Sequence, residues 1–256
     1  VCLPPFLPVA PAGRTLVVGG GKAAAAMAAA VEAHWPAGAP LSGRVVTRYR
    51  HGLPTQRIEV VEASHPLPDG RGAAAAEAML ADLAQLGADD LLLVLLSGGG
   101  SSLLALPVAG VSLKELRAVT RGLLASGAPI AAINTVRRHL TRFSGGRVAA
   151  ASAAAVVGLL LSDVVGDALE AIASGPTAPD STSYADALAA LDQFRVAAPD
   201  AVRAHLERGA AGGIVDTPAP GDPCFARVAN HLIGGARQAL AAAQAELEAR
   251  GVTVFN

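Results

Sequence analysis

Short aliphatic runs recur along the chain, and alanine-rich stretches of helical length separate them. Uninterrupted aliphatic runs predict strands that are buried on both faces, because a strand with one face in water would alternate apolar and polar residues. The predicted strands are Thr15 to Val18, Arg44 to Thr47, Ile58 to Glu62, Leu91 to Leu96, Val156 to Leu161 and Val252 to Phe255.

The predicted helices are Lys22 to His34, Gly70 to Leu86, Leu113 to Ala125, Ile130 to Leu140, Tyr184 to Phe194 and Phe225 to Arg250. Glycine and proline between residues 199 and 223 predict a short helix followed by a surface loop. Because strands and helices alternate, we expect an α/β fold with three layers, α/β/α, around a mostly parallel, Rossmann-like sheet.

The composition excludes several classes of partner. The chain has 256 residues, enough for one large domain or two small ones, with 20 basic and 21 acidic residues and a formal charge of -1. This balance gives no electrostatic footprint for nucleic acid or an anionic membrane surface, and no stretch predicts a membrane-spanning helix. Cys2 and Cys224 lie far apart and indicate neither a disulfide framework nor a zinc site. We therefore expect a cytoplasmic protein.

A first candidate loop follows the first predicted strand. Gly20 and Gly21 end a run of three glycines, and Lys22 stands at the start of the next helix. Glycines let backbone amides approach an anion, and the lysine adds a full positive charge to the helix dipole. The spacing matches neither GxGxxG nor GxxxxGK[ST]. A tight turn with an exposed lysine is the alternative.

A second candidate loop, SGGGSS, follows the fourth predicted strand. Its backbone amides and hydroxyls are suited to a phosphate or carboxylate, as in an anion nest, and a plain glycine-rich turn is the alternative. The residues of this loop are Ser97, Gly98, Gly99, Gly100, Ser101 and Ser102.

Two further polar segments lie nearby in the predicted fold. Asp163 and Asp167 follow an aliphatic strand and offer the carboxylate oxygens that Mg²⁺ requires, although Asp163 could instead cap the next helix. Ser174, Gly175 and Thr177 form part of a Gly-Pro turn with two hydroxyls. In an open parallel sheet such loops gather at the carboxyl ends of the strands, where ligands bind.

An arginine-rich segment, NTVRRHLTRFSGGRVA, begins at Asn134. The arginine fork matches carboxylate and phosphate groups, so the segment indicates an acidic substrate, and a solvated helix face is the alternative. Among its charged residues are Arg137, Arg138, His139, Arg142 and Arg147. We interpret His139 as structural and His65, in ASHPLPD, as a loop residue.

Taken in order, VVGGGKAAAAM, ASHPLPD, LLVLLSGGGSSLL, INTVRRHLTRFSGGRVA and LLLSDVVGDALEAIASGPTAPD resemble the glycerate 2-kinase family, whose second domain is called MOFRL. The resemblance implies a phosphotransferase with an alcohol acceptor that uses ATP and Mg²⁺ to phosphorylate D-glycerate at its 2-hydroxyl, giving 2-phosphoglycerate. This chain has Ser144 where the family usually has lysine.

The resemblance also implies roles for individual residues. Lys22 and Asp163 would be catalytic, and Asp163 and Asp167 would hold Mg²⁺. Asn134, Arg137 and Ser97 would bind the substrate. The residues implied to bind nucleotide phosphates are Gly20, Gly21, Gly98, Gly99, Gly100, Ser101, Ser102, Ser174, Gly175 and Thr177.

The resemblance further implies that residues 1–256 form the large N-terminal Rossmann-like domain without the C-terminal MOFRL domain. We expect an incomplete site for this reason, and a homodimer stays open. Two other functions also stay open: a noncatalytic nucleotide- or anion-binding fragment, and an oxidoreductase of the hydroxypyruvate reductase type. The oxidoreductase is less favoured because no nicotinamide fingerprint is visible.

Overall fold

Six parallel strands form one sheet at the centre of this computed structural model, which describes residues 2–255. The order across the sheet is β3-β2-β1-β4-β5-β6. The strands are β1 (Thr15–Gly20), β2 (Leu41–Arg48), β3 (Ile58–Ala63), β4 (Leu91–Ser97), β5 (Ala155–Leu161) and β6 (Val228–Gly234). Five of the six predicted strands are confirmed within a few residues.

Helices connect the strands and cover the sheet. In chain order they are α1 (Ala24–His34), α2 (Gly70–Leu83), α3 (Gly100–Leu103), α4 (Leu113–Ala125), α5 (Ile130–Leu140), α6 (Arg147–Ala151), α7 (Tyr184–Gln193), α8 (Asp200–Ala210) and α9 (Ala236–Ala249). Short 3₁₀ segments occur at Pro4–Phe6, Ile172–Ser174 and Pro223–Arg227.

The aliphatic runs are buried on both faces, as their composition predicts. Every residue of β1 and β4, in the middle of the sheet, is buried. Val18 packs in a cluster with Met79 of α2 on one face, whereas Val17 packs in a cluster with Met27 of α1 on the other. Residues that alternate along one strand therefore belong to different layers, which confirms the three-layer α/β/α architecture.

A separate helical core lies beside the sheet. Buried side chains of α4, α5, α7 and α8 pack against one another, among them Leu123, Leu140, Leu191 and Leu206. The pattern of single helices in the sequence does not reveal this association, because it depends on which helix faces meet. The helical core holds α5 next to the loops at the carboxyl ends of the strands.

The predicted helix from Phe225 to Arg250 is wrong. Its first part is a 3₁₀ turn and then β6, which pairs with β5, and only its second part is helical. The cause is a tertiary contact: Asn230, in the middle of β6, pairs in register with Gly158 and accepts a hydrogen bond from the Thr177 hydroxyl at 2.7 Å. Sequence patterns do not predict this strand, because it lies at the edge of the sheet with a single strand partner and contains polar residues.

The predicted strand from Val252 to Phe255 is also wrong, because these residues have no regular structure. They follow α9, in which no residue is buried. Within residues 2–255, none of the helices combines the length and the apolar character needed to cross a bilayer.

A leucine in the central strand and a leucine on α9 give a matched pair of truncations. Leu95 is fully buried, whereas Leu240 is 66% exposed. We expect Leu95→Ala to lower the free energy of unfolding by about 2–5 kcal/mol, because it leaves a cavity between two layers. Leu240→Ala should change it by less than about 0.5 kcal/mol. Urea denaturation measures both, and equal losses would contradict the described burial.

Candidate functional site

The two glycine-rich loops are bonded to each other where the strand order reverses, between β1 and β4. The Lys22 amide donates to the Gly98 carbonyl at 2.8 Å, and the Ala23 amide donates to Ser97 Oγ at 3.0 Å. Gly21 leaves no room for a side chain, because a Cβ there would collide with Ser97. The loops therefore form one unit at the point where an open α/β sheet has its ligand crevice.

This contact involves residues that the sequence analysis assigns to ligand binding. Ser97, predicted to bind substrate, is only 2% exposed, and its hydroxyl accepts the amide at the start of α1. Gly20 and Gly21 are buried as well: a Cβ on Gly21 would collide with Ser97, and a Cβ on Gly20 would meet the Leu104 side chain. Only the exposed side chain of Lys22 is left to meet a ligand from the first loop.

The second loop retains free amides. Gly99 has a φ of 86°, in the left-handed region, and precedes the helical conformation of α3. The amides of Gly99, Gly100 and Ser101 have no hydrogen-bond acceptor among residues 2–255. Successive amides in this arrangement form a concave anion-binding nest. Gly98 provides the close approach of Asp163, because a Cβ on it would collide with that carboxylate.

A cleft of about 550 Å³ opens beside this nest. Polar side chains line its interior: His65, Ser101, Ser102, Asn134, Arg137 and Asp163. Its rim contains apolar side chains that are largely exposed: Leu67, Leu124, Ile130 and Val165. An exposed apolar rim around polar groups is typical of a surface that a ligand or another protein segment covers.

Lys22 and Asp163 come together at the edge of the cleft. Lys22 Nζ lies 3.5 Å from Asp163 Oδ2, and both side chains are about half exposed, at 45% and 56%. Asp163 does not cap a helix, because residues 162–171 form turns. The alternative interpretation of Asp163 is therefore wrong, and its carboxylate is available to a ligand together with the lysine.

Asn134 and Arg137 face the cleft from α5. They are three residues apart and so lie on one side of the helix. Among the described residues, the Arg137 guanidinium has no acidic partner and no hydrogen-bond acceptor, and burial lowers its pKa from the ordinary arginine value. Asn134 is 4% exposed, and the Ser174 hydroxyl lies 3.5 Å from its Oδ1 and 2.8 Å from Ser101 Oγ.

The opposite side of α5 belongs to a buried polar network. Arg138 Nε lies 2.9 Å from Asp180 Oδ2, and both side chains are buried. His139 Nε2 lies 2.9 Å from Asp216 Oδ1, and Arg147 donates to the Arg138 carbonyl at 2.6 Å. These contacts fix the helix and do not reach the cleft, so His139 is structural, as expected. Of the arginines in this segment, Arg142 forms an exposed pair with Glu77.

Several predicted site residues lie away from the cleft. Asp167 has a φ of 53°, and its Oδ1 would lie 2.9 Å from a Cβ on Gly235, at the start of α9. Thr177 is bonded to Asn230 of β6, and Gly175 packs against Glu170. The structure therefore does not pair Asp167 with Asp163. No cluster of three or more His, Cys, Asp or Glu side chains that could hold a metal occurs within residues 2–255.

His65 is a loop residue, as the sequence analysis interprets it, and it also lines the cleft. It follows β3 at the same edge of the sheet as the glycine loops, and this position after a strand end was the available signal. A Cβ on Gly99 would lie 2.8 Å from His65 Nε2, so the imidazole rests directly on the nest.

A second cleft, of about 700 Å³, lies at the amino ends of β1, β2 and β3. Its arginines already have acceptors: Arg44 lies 3.1 Å from Glu59, and the side chains of Arg14 and Arg57 donate to the carbonyls of Gln85 and Ala39. The cleft at the carboxyl ends, with its unpaired guanidinium and free amides, is the better candidate site.

The chain is similar in sequence to several known proteins. A family model described as "Domain of unknown function (DUF4147)" matches residues 5–207. A protein of Agrobacterium vitis provisionally named hydroxypyruvate reductase is 52% identical over 79% of this chain and 46% of its own length. The glycerate 2-kinase of Pyrococcus horikoshii is 42% identical over 80% of this chain and 46% of its own.

A solved structure agrees with the described fold. The crystal structure of glycerate kinase from Thermotoga maritima matches with a TM-score of 0.83 and 39% identity, covering 97% of this chain and 57% of that one. The chain thus spans about half the length of the relatives that it matches.

Two glycines with nearly the same backbone angle test the packing of the nest. Gly99 has a φ of 86° and Gly110 a φ of 84°, but a Cβ on Gly110 would meet no atom within 4 Å. Gly110→Ala should cost about 1 kcal/mol of unfolding free energy, from backbone strain alone. Gly99→Ala should cost about 1–3 kcal/mol more, because the methyl group displaces His65. Chemical denaturation measures the difference, and equal costs would contradict the contact.

Proposed function

We propose a phosphoryl-transfer function from one premise: the chain belongs to the DUF4147 family and is a member of the glycerate kinase family. The proposed reaction is the ATP-dependent phosphorylation of D-glycerate at its 2-hydroxyl, giving 2-phosphoglycerate and ADP. The observation that carries this proposal is Arg137, a partly buried guanidinium that faces the cleft without an acidic partner. An anion stabilises a partly buried charge that has no acidic partner, and a carboxylate matches the arginine fork.

The arrangement of the cleft supports the rest of the reaction. Arg137 and Asn134 bind the glycerate carboxylate, and the amides of Gly99 to Ser101 bind phosphate oxygens. The ammonium of Lys22 stabilises charge on the γ-phosphoryl group during transfer, a task that needs positioned charge more than covalent chemistry. The amide nest and this lysine lie on loops that are hydrogen-bonded to each other, so their relative positions are fixed.

The bonds change as follows. The substrate hydroxyl oxygen forms a bond to the γ-phosphorus while the bond to the bridging oxygen breaks, and its electron pair leaves with ADP. Asp163, beside Lys22 at the edge of the cleft, accepts the hydroxyl proton.

The side chains that line the cleft offer few ligands for Mg²⁺. Magnesium in phosphoryl-transfer sites is usually held by one or two carboxylates together with substrate phosphates. Asp163 is the carboxylate that lines the cleft, whereas Asp167 lies against Gly235. Bound Mg²⁺ would neutralise phosphate charge. We therefore propose that Asp163, without Asp167, would hold Mg²⁺ together with the nucleotide phosphates, as the alternative to its role as proton acceptor.

We also propose that a further part of the protein completes the site. The exposed apolar rim at Leu124, Ile130 and Val165 is unusual beside a polar cleft, and it offers a surface that another segment would cover. The chain spans about half the length of the relatives that it matches.

Reduction of hydroxypyruvate is a second candidate function, favoured by the name of the Agrobacterium vitis relative. The same arginine and asparagine could bind the carboxylate of a keto acid. The glycine spacing after β1 does not match the dinucleotide fingerprint, so the kinase is preferred. A noncatalytic anion-binding role is the third alternative, and it predicts turnover in neither assay.

The two lysines of the chain provide a matched test of catalysis. In the full-length protein, Lys22→Ala should lower kcat for ATP consumption with D-glycerate by about 100-fold or more, because it removes a preorganised charge. Lys114→Ala, at an exposed position on α4, should leave kcat unchanged. A coupled assay of ADP release measures kcat. A parallel assay with hydroxypyruvate and NADH tests the reductase, and NADH oxidation without ATP turnover would overturn the kinase proposal.

Two arginines test substrate binding. Arg137→Ala should raise the KM for D-glycerate by about 10- to 100-fold, because a charge-assisted hydrogen bond is lost. The KM for ATP should change by less than about twofold. Arg121→Ala, at an exposed position of α4, is the control. Steady-state kinetics with each substrate varied separately give both constants, and an increase confined to ATP would place Arg137 at the nucleotide instead.

A further inference from the structure

His65 occupies a defined position in the cleft. It lies two residues after β3, and its ring packs on the Cα of Gly99, where a side chain would collide with Nε2 and Cδ2. The same point lies 3.4 Å from Lys22 Cε, so the imidazole and the lysine flank the nest. Within residues 2–255, neither ring nitrogen of His65 has a hydrogen-bond partner, which leaves both to a ligand or to water.

The surroundings of His65 favour the neutral form of its ring. Partial burial lowers its pKa below the usual value, and the positive charges of Lys22 and Arg48 lower it further, whereas Asp163 acts in the opposite direction. A neutral imidazole carries one nitrogen that accepts a hydrogen bond.

Apart from the Asp163 carboxylate, which is proposed to take the proton of the reacting hydroxyl, the cleft has few such acceptors. Arg137 only donates, and the nest presents amides that also donate. The Ser101 oxygen already lies 2.8 Å from the Ser174 hydroxyl. These groups are suited to the anionic end of a hydroxy acid. A hydroxyl on that substrate is itself a donor and needs an acceptor, because an unpaired polar group loses affinity in a closed site.

We propose that His65 contacts the substrate directly and that one of its ring nitrogens accepts a hydrogen bond from a hydroxyl group of the bound hydroxy acid. This inference rests on the proposed function, since it takes D-glycerate as the ligand. It makes His65 a specificity-determining residue, which favours a hydroxy acid over an analogue without the hydroxyl. No proton transfer through the ring is required.

Binding of three acids to the full-length protein tests the contact. The probes are D-glycerate, 3-hydroxypropionate, which lacks the 2-hydroxyl, and D-lactate, which lacks the 3-hydroxyl. Calorimetric titration, with and without ADP, gives the affinity ratio of D-glycerate to each analogue. The wild-type protein should prefer D-glycerate by about tenfold or more over one of them, because a hydrogen-bonding site rejects an analogue that lacks the group.

The variants separate the contact from general loss of structure. His65→Ala should reduce that preference to within about twofold, whereas His65→Gln, which keeps an acceptor, should restore part of it. His51→Ala, at an exposed histidine after β2, should retain the wild-type ratio. Because each result is a ratio within one variant, a partly unfolded fraction does not affect it. In the wild-type protein, D-glycerate should also shift the ring resonances of His65 in NMR spectra.

Two negative results have different meanings. If the wild-type protein binds and phosphorylates D-glycerate but both ratios are the same in His65→Ala as in the wild type, the His65 contact is wrong and the proposed function stands. If the wild-type protein neither binds D-glycerate nor consumes ATP with it, the proposed function and the contact are both wrong.

Discussion

The candidate site depends on the hydrogen bonds that join the two glycine-rich loops across the reversal of strand order. The amides of Lys22 and Ala23 are bonded to the β4 loop and not to a ligand. These bonds set the lysine beside Asp163 and hold the Gly99 turn in its left-handed conformation, where its neighbouring amides stay free. One loop therefore acts as the support and the other as the anion-binding surface, although both have a similar glycine-rich sequence.

Single residues of α5 also differ in role: some can bind a ligand and others hold the structure in place. Asn134 and Arg137 face the cleft. Arg138, the next residue along the helix, instead forms a buried ion pair with Asp180. The period of a helix separates neighbours onto different faces. The buried pair holds α5 in place. The Arg137 guanidinium, which has no acidic partner among the described residues, therefore has little freedom to move when it meets a ligand. An arginine-rich segment thus contributes one binding residue and several structural ones.

The cleft combines unpaired donors with one carboxylate and a neutral histidine. This combination suits a small acid that brings its own negative charge and a hydroxyl group. It also explains why the net charge of the chain says little about the ligand: the relevant charges are local, and others, such as Arg44, Arg142 and Arg203, form salt bridges away from the cleft.

The sequence alone determined the layered α/β fold, because strands buried on both faces require continuous aliphatic runs, and these are visible without any tertiary information. It also determined which loops gather at the carboxyl edge, since that follows from parallel strand direction. Only the tertiary structure decided which polar groups there are free. Ser97 is bonded within the protein, Asp167 faces α9, and His65 is brought onto Gly99 from a distant loop. It likewise decided that residues 228–234 form β6, because pairing with β5 outweighs their weak local preference.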